Sequence, residues 1–187
     1  MIRKHIVPRL ISRRFIHIWD AGCAMGPEPY SLAITLRENM GKMIFRNVKI
    51  HATDIDNSNL FKKIIQNGVY PVEQLRRIPH DIFTKYFEPA EQPDYFIITE
   101  DIRKCIEFKK HDLLTLQPVR KDNILIVCKN VLLHFSEKER IDVISMFHES
   151  LEKDGFFVIE QTQKIPAELE GMFERVVPNA QVFRRVN

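Results

Sequence analysis

Short apolar runs alternate with amphipathic segments along the first third of the chain. This pattern predicts strands at residues 16–20 and 48–53 and helices at residues 28–40 and 57–66, after a basic helix at residues 2–13. Strands that alternate with helices are typical of a parallel sheet with helices on its faces. The pattern therefore predicts an α/β fold.

The middle of the chain has a weaker pattern. Residues 71–93 read as irregular to helical because four prolines interrupt them. Residues 94–99 and 105–109 read as short β segments, and we expect them to form a small antiparallel hairpin beside the main sheet.

The last third of the chain again has clear patterns that predict strands and a helix. Residues 124–128, ILIVC, form a continuous apolar run of the kind that is buried on both faces of a sheet. A helix is predicted at residues 137–151, where Ser136 and Glu139 have the spacing of a capping box. A strand follows at residues 156–160.

Composition sets limits on the class of protein. The chain has 187 residues, of which 44% are hydrophobic, which is enough for one sizeable core and one domain. The net charge of +3 is mild, but basic residues crowd the first fourteen positions. This basic run reads as a solvated surface helix or as a site for an acidic partner.

The three cysteines are Cys23, Cys105 and Cys128, and their odd number and uneven spacing argue against a disulfide framework. They favour a reducing, cytoplasmic location. The histidines are scattered without metal-ligand spacing, so we expect no metal site. With no apolar run of membrane-spanning length, we expect a soluble protein without membrane insertion.

Candidate chemistry begins in the stretch IWDAGCAMGPEPYSLA, in which a strand runs into a small-residue turn and then a helix. Gly22 and Gly26 let the backbone pass close to a ligand, and Pro27 suits the first position of a helix. Glu28 then reads either as a helix-start carboxylate or as a ligand contact. The alternative for the whole turn is a tight connection that needs small residues.

Asp54 follows the second strand, at the position of the ribose-binding acid in a nucleotide-binding βαβ unit. A carboxylate that accepts two ribose hydroxyls is hard to replace with a neutral side chain. The glycine turn and this acid together predict a site for a nucleoside cofactor.

The words DAGCAMGPEPYSLAI, ATDID, NGVYPVEQL, KYFE, HDLL, CKNVLLHF and LEKDGFFVIEQTQ occur in this order. They resemble the CheR-type chemotaxis receptor methyltransferases, which use S-adenosylmethionine (SAM). The resemblance implies a Rossmann-like SAM-methyltransferase fold: a mostly parallel sheet with a small β insertion and a C-terminal antiparallel hairpin at residues 173–177 and 181–186. It also implies a single domain over residues 1–187, with a small β subdomain around residues 94–109.

The resemblance assigns cofactor contacts. Gly22 would let the backbone approach the cofactor, Glu28 matches the second acid of an E-E-P-Y-S word, and Asp54 would bind the ribose hydroxyls. Asp112 and Leu113 match a word that borders the adenine.

Lys129 and Asn130 match a C-R-N-V word that faces the methionine part of the cofactor and the reaction centre. His134 stands where the family usually has a tyrosine near the transferred methyl, and Lys129 replaces an arginine. His134 and Lys129 are therefore the candidate catalytic residues, with S-adenosylhomocysteine (SAH) as the product. The alternative for His134 is a half-buried histidine in a strand-to-helix loop.

Family members usually carry an N-terminal helical domain and a linker with a T-x-F-F-R word, and this sequence begins too late to hold either. We therefore expect either a piece of a longer protein or a naturally short relative. Asp56 reads as a helix cap rather than a ligand. The aromatic residues Tyr70, Phe83, Tyr86 and Phe87 read as core packing rather than a nucleic-acid surface.

The expected partner is a protein substrate, the cytoplasmic domain of a chemoreceptor, whose glutamate carboxylates receive the methyl group. Two other functions stay open. One is a non-catalytic SAM- or SAH-binding regulatory module, and the other is a small-molecule methyltransferase.

Overall fold

Two sheets organise the computed structural model, which describes residues 2–186. In chain order the strands are β1 (Ile16–Ala21), β2 (Val48–Asp54), β3 (Val69–Pro71), β4 (Phe87–Pro89), β5 (Tyr95–Ile98), β6 (Ile106–Lys110), β7 (Asn123–Cys128), β8 (Leu151–Ile159), β9 (Phe173–Arg175) and β10 (Val182–Arg185). The α-helices are α1 (Val7–Leu10), α2 (Pro27–Phe45), α3 (Phe61–Asn67), α4 (Val72–Leu75), α5 (His80–Tyr86), α6 (Glu100–Arg103) and α7 (Glu137–Ser150). A π-helical turn spans Ile2–Ile6, and 3-10 turns span Leu113–Thr115, Leu132–His134 and Ala167–Met172.

The main sheet has seven strands in the order β6-β2-β1-β7-β8-β10-β9. The pairs from β6 to β8 are parallel, and β10 is antiparallel to both β8 and β9. This order confirms the predicted α/β fold with its C-terminal antiparallel hairpin. The chain adds β2 and β6 on one side of β1 and then crosses from β6 to β7 on the other side. The carboxyl ends of the strands at such a crossover are where these sheets bind ligands.

The central strands are buried on both faces. All residues of β7 are buried, as the continuous apolar run predicts. Trp19 of β1 is fully buried and meets Phe147 of α7 edge to face, with ring centroids 5.0 Å apart. On the other face, α2 packs Leu36 and Ala33 into the core. The carboxyl ends of β1, β2 and β7 therefore extend from strands that are packed on both faces.

Helix α2 begins where the sequence predicts. Gly26 precedes it in a left-handed conformation (φ 101°), Pro27 opens it, and Glu28 lies in its first turn. The helix continues to Phe45, beyond the predicted end, although Gly41 interrupts it with non-helical backbone angles.

The second sheet corrects a prediction. It has three antiparallel strands in the order β3-β5-β4, whereas β6 joins the main sheet parallel to β2. The predicted hairpin of residues 94–99 with 105–109 is therefore wrong, because the two segments lie in different sheets with α6 between them. The small β subdomain starts earlier than residue 94, since it includes β3 and β4.

Several element bounds also differ from the predictions. The N-terminal helix ends at Leu10 rather than residue 13, and β8 begins at Leu151 rather than residue 156. The capping box at Ser136 is confirmed, because its hydroxyl accepts the Glu139 N–H and the Glu139 carboxylate accepts the Ser136 N–H.

Cys23, Cys105 and Cys128 are all buried and free. Across residues 2–186, no group of three or more metal-ligating side chains lies close enough together to hold a metal ion. Within the same residues, no helix combines the length and apolar character needed to cross a bilayer.

Candidate active site

A cavity of about 590 Å³ opens at the carboxyl ends of β1, β2 and β7. Every predicted site residue lines it. The full lining is Gly22, Cys23, Ala24, Pro27, Glu28, Thr53, Asp54, Ile55, His111, Asp112, Leu113, Leu114, Lys129, Asn130, Val131, His134 and Phe135.

The turn after β1 forms one wall of the cavity. Gly22 has a φ of +96°, and a Cβ added there would lie 2.0 Å from Cγ2 of Val131. The Gly22 and Cys23 N–H groups both donate to the Thr53 carbonyl, at 2.7 and 3.0 Å. The turn thus needs glycine for its backbone angle and for its close approach to the loop after β7.

Asp54 ends β2 and links two loops. Its Oδ2 accepts the Ala24 N–H at 2.9 Å, and its Oδ1 accepts the Asp56 N–H at 3.2 Å. Each carboxylate oxygen accepts more than one hydrogen bond, so Asp54 keeps acceptor capacity toward the cavity.

Asp56 lies just beyond Asp54 and is buried. Its Oδ1 accepts the N–H groups of Leu60 and Phe61 and the Ser58 hydroxyl. The expected place of Asp56 at the start of a helix near Asn57 is wrong, because α3 begins at Phe61 and its N-cap is Leu60. Asp56 instead orders the loop before α3 through these hydrogen bonds.

Glu28 and Lys129 meet across the cavity wall. Nζ of Lys129 lies 2.6 Å from Oε2 of Glu28, which joins the first turn of α2 to the loop after β7. Both side chains are partly exposed, so each can also contact a ligand.

Asp20 lies behind this pair near the end of β1 and is not among the predicted site residues. It is fully buried, and its side chain lies within hydrogen-bonding reach of the Glu28 side chain when one of the two carboxyls is protonated. Burial raises the pKa of Asp20 well above its usual value, the nearby Glu28 carboxylate raises it further, and Lys129 opposes the rise. Its position beside the glycine turn was the signal that could have identified it.

The loop after β6 forms the opposite wall. Oδ1 of Asp112 accepts the Leu114 N–H at 2.9 Å and caps the 3-10 turn, and Leu113 is buried at its base. His111 lies edge-on to Trp19 with centroids 5.8 Å apart. Burial lowers the pKa of His111, so this wall carries a neutral imidazole at neutral pH.

The loop after β7 holds the remaining predicted residues. Asn130 has a φ of +59°, and its N–H donates to Oε2 of Glu160 at 3.1 Å. Glu160, at the end of β8, was not selected from the sequence. His134 ends a 3-10 turn in the loop between β7 and α7, so it lies in the expected strand-to-helix loop, but it is exposed rather than half-buried.

The residues that line the cavity fit an adenosyl amino-acid sulfonium compound such as SAM. Carboxylates at Asp54 and Asp112 face the cavity beside the apolar Leu113, which suits the hydroxyls, amino group and ring of a nucleoside. Glu28 lines the same cavity, where a carboxylate suits the cationic amino group of such a compound. The cavity volume lies within the range of about 300–1,000 Å³ that is usual for such ligands.

This strand order and this cavity define the SAM-binding domain of a Rossmann-like methyltransferase. The family model "CheR methyltransferase, SAM binding domain" matches residues 1–182. The chain belongs to this family.

Curated relatives support this family assignment. The chain is 37% identical over 153 residues to a chemotaxis protein methyltransferase of Borreliella burgdorferi, covering 80% of this chain and 53% of that protein. It is 34% identical over 167 residues to a chemotaxis protein methyltransferase of Listeria innocua, covering 88% of this chain and 61% of that protein. The chain thus spans little more than half the length of these relatives.

Among solved structures, a TehB-like SAM-dependent methyltransferase from Corynebacterium glutamicum superposes with a TM-score of 0.52. The match covers 96% of this chain and 83% of that one at 16% identity, and it supports the fold.

Proposed function

We propose that residues 1–187 act as a single-domain SAM-dependent O-methyltransferase that methylates glutamate side chains in the cytoplasmic part of a chemotaxis receptor. The main observation behind this proposal is that Glu28, Asp54 and Asp112 all line one cavity beside the glycine turn. Membership of the CheR family and the names of the curated relatives support the substrate class.

Each carboxylate has a part in holding the cofactor. Asp54 accepts the ribose hydroxyls, and Asp112 accepts the amino group of the adenine that packs on Leu113. Glu28 binds the cationic end of the amino-acid part, while the Gly22 turn lets the backbone approach closely. Asn130 borders the same part of the cofactor from the loop after β7.

The cofactor supplies, when bound, a methyl group on a sulfonium. A glutamate carboxylate is ionised at neutral pH, so the acceptor needs no strong base. Lys129 and His134, at the mouth of the cavity, attract and orient the acceptor carboxylate, and the walls exclude water from it. Positioning and electrostatics therefore account for most of the proposed rate enhancement.

The test uses purified protein, SAM with a radiolabelled methyl group, and the cytoplasmic fragment of a chemoreceptor from the same organism. We expect label to enter the receptor and to be released as methanol by mild alkali, because a carboxyl methyl ester is base-labile and a methylated amine is not. Receptor with glutamine in place of the accepting glutamates is the control, and it should stay unlabelled.

Two results would contradict the proposal. If calorimetry detects no SAH binding, the cavity is not a cofactor site. Tight SAH binding without label in any receptor fragment would rule out receptor methylation and leave the non-catalytic binding module and the small-molecule methyltransferase as the alternatives.

A further inference from the structure

The small sheet contacts the cofactor turn through Tyr70. This tyrosine lies in β3, and its hydroxyl donates a hydrogen bond of 2.8 Å to the carbonyl of Met25, in the turn between β1 and α2. The side chain is only 6% exposed, so no solvent competes freely for this bond. The contact joins two segments that are 45 residues apart.

The fit around this bond is close. Gly26 follows Met25 with a φ of +101°, and a Cβ added to it would lie 2.7 Å from the Tyr70 hydroxyl oxygen and 2.9 Å from Ile65. The Tyr70 ring also meets the Tyr30 ring edge to face, with centroids 6.0 Å apart. Tyr70 therefore fixes where this turn lies as well as capping its carbonyl.

The position of this turn in part determines the position of Asp54 in the cavity. Ala24, one residue before Met25, donates its N–H to Oδ2 of Asp54 at 2.9 Å. Gly26 closes the turn by donating its N–H to the Cys23 carbonyl at 3.1 Å. A contiguous set of hydrogen bonds thus runs from the small sheet through the turn to the carboxylate that we assign to the ribose.

We infer that Tyr70 is a positioning residue through which the small sheet sets the affinity of the turn and Asp54 for the cofactor. This inference rests on the proposed function, because it assumes that the cavity binds SAM and SAH. Burial raises the pKa of Tyr70, so its hydroxyl remains a donor at physiological pH.

The chain offers a matched control in Tyr86. This tyrosine is also buried and lies in the helix that leads into β4, but its hydroxyl donates to the carboxylate of Glu38 on α2, outside the cavity lining. Tyr70→Phe and Tyr86→Phe each remove one buried hydroxyl from the same part of the molecule.

The experiment measures the dissociation constant for SAH by calorimetry and the melting temperature of all three proteins. We expect comparable melting temperatures for the two variants. Tyr70→Phe should bind SAH about three- to tenfold more weakly, the effect of one lost hydrogen bond, whereas Tyr86→Phe should stay within about twofold of the wild type. Hydrogen exchange without ligand should be faster at the Ala24 and Gly26 amides in Tyr70→Phe only.

An unchanged dissociation constant in Tyr70→Phe, or an equal loss in Tyr86→Phe, would overturn the inference while leaving the proposed function intact. Failure of the wild type itself to bind SAH would instead refute the proposed function.

Discussion

The ammonium Nζ of Lys129 lies 2.6 Å from Oε2 of Glu28, and this ion pair joins residues that are 101 positions apart in the chain. It places a negative and a positive group side by side in the cavity wall. Under the proposed function, Glu28 faces the cationic amino group of the cofactor and Lys129 faces the acceptor carboxylate, so the pair would hold the two charged groups near each other.

Glu28→Gln should weaken SAH binding about ten- to a hundredfold, because a hydrogen bond to a charged group contributes about 1.5–3 kcal/mol. Calorimetry gives the dissociation constant. Glu38→Gln is the matched control, since Glu38 also lies on α2 and pairs with a lysine, Lys85, outside the cavity lining. Equal binding by both variants would show that the charge of Glu28 does not contact the ligand.

Asp112→Asn should reduce the preference for adenosyl over inosyl ligands. A carboxylate accepts from the adenine amino group and repels the carbonyl of hypoxanthine, whereas an amide can donate to that carbonyl. We expect the ratio of the dissociation constants of S-inosylhomocysteine and SAH to fall about tenfold. The amide oxygen still caps Leu114, so the melting temperature should change little; an unaltered ratio would place the adenine elsewhere.

Gly22→Ala should destabilise the fold by about 2–4 kcal/mol, because the new Cβ meets Val131 and the backbone angle is left-handed. Urea unfolding measures the loss. Gly171→Ala is the control: among the described residues, no atom outside its chain neighbours and the backbone of its own helical turn lies within 4 Å of the added Cβ, and the change should stay within about 0.5 kcal/mol. Similar losses in both variants would contradict the close approach at Gly22.

Asp20 should make the stability depend on pH. Because burial raises its pKa in the folded state, the folded protein holds this proton more tightly than the unfolded chain. Its contribution is therefore most favourable below the usual value of 3.8 and declines as pH rises toward the folded pKa.

Asp20→Asn removes this titration, so its free energy of unfolding relative to the wild type should rise as pH increases above 3.8 toward the folded pKa of Asp20. Urea unfolding at several pH values provides the comparison. Asp81→Asn, at an exposed position in α5, should follow the wild-type profile. Parallel profiles for Asp20→Asn and the wild type would show that Asp20 carries no shifted proton.

His134→Ala should lower kcat for receptor methylation about tenfold and leave the SAH dissociation constant within about twofold, since the side chain sits at the cavity mouth. His80→Ala changes an exposed histidine of α5 and should alter neither value. A loss of SAH binding in His134→Ala would assign His134 to the cofactor instead.

Features specified by neighbouring residues were predictable from the sequence. The turn at Gly22, the start of α2 at Pro27 and the capping box at Ser136 each depend on residues only a few positions apart. The gathering of the predicted site residues in one cavity follows from the strand order, which places the loops after β1, β2, β6 and β7 side by side.

Features that depend on distant partners were not predictable. The strand β5 is only four residues long, and its pairing with β3 and β4 rather than with β6 has no local signal. Three features arise only after packing brings remote segments together: the burial of Asp20 beside Glu28, the hydrogen bond from the Asn130 N–H to Glu160, and the hydrogen bond from the Tyr70 hydroxyl to Met25.

Asp54 already holds the Ala24 and Asp56 amides, one from each of the two loops beside it. The conformational entropy of ordering these loops is therefore lost during folding rather than on association with a ligand. A ligand that reaches Asp54 meets a preorganised surface, and recognition at this end of the cavity should need little induced fit.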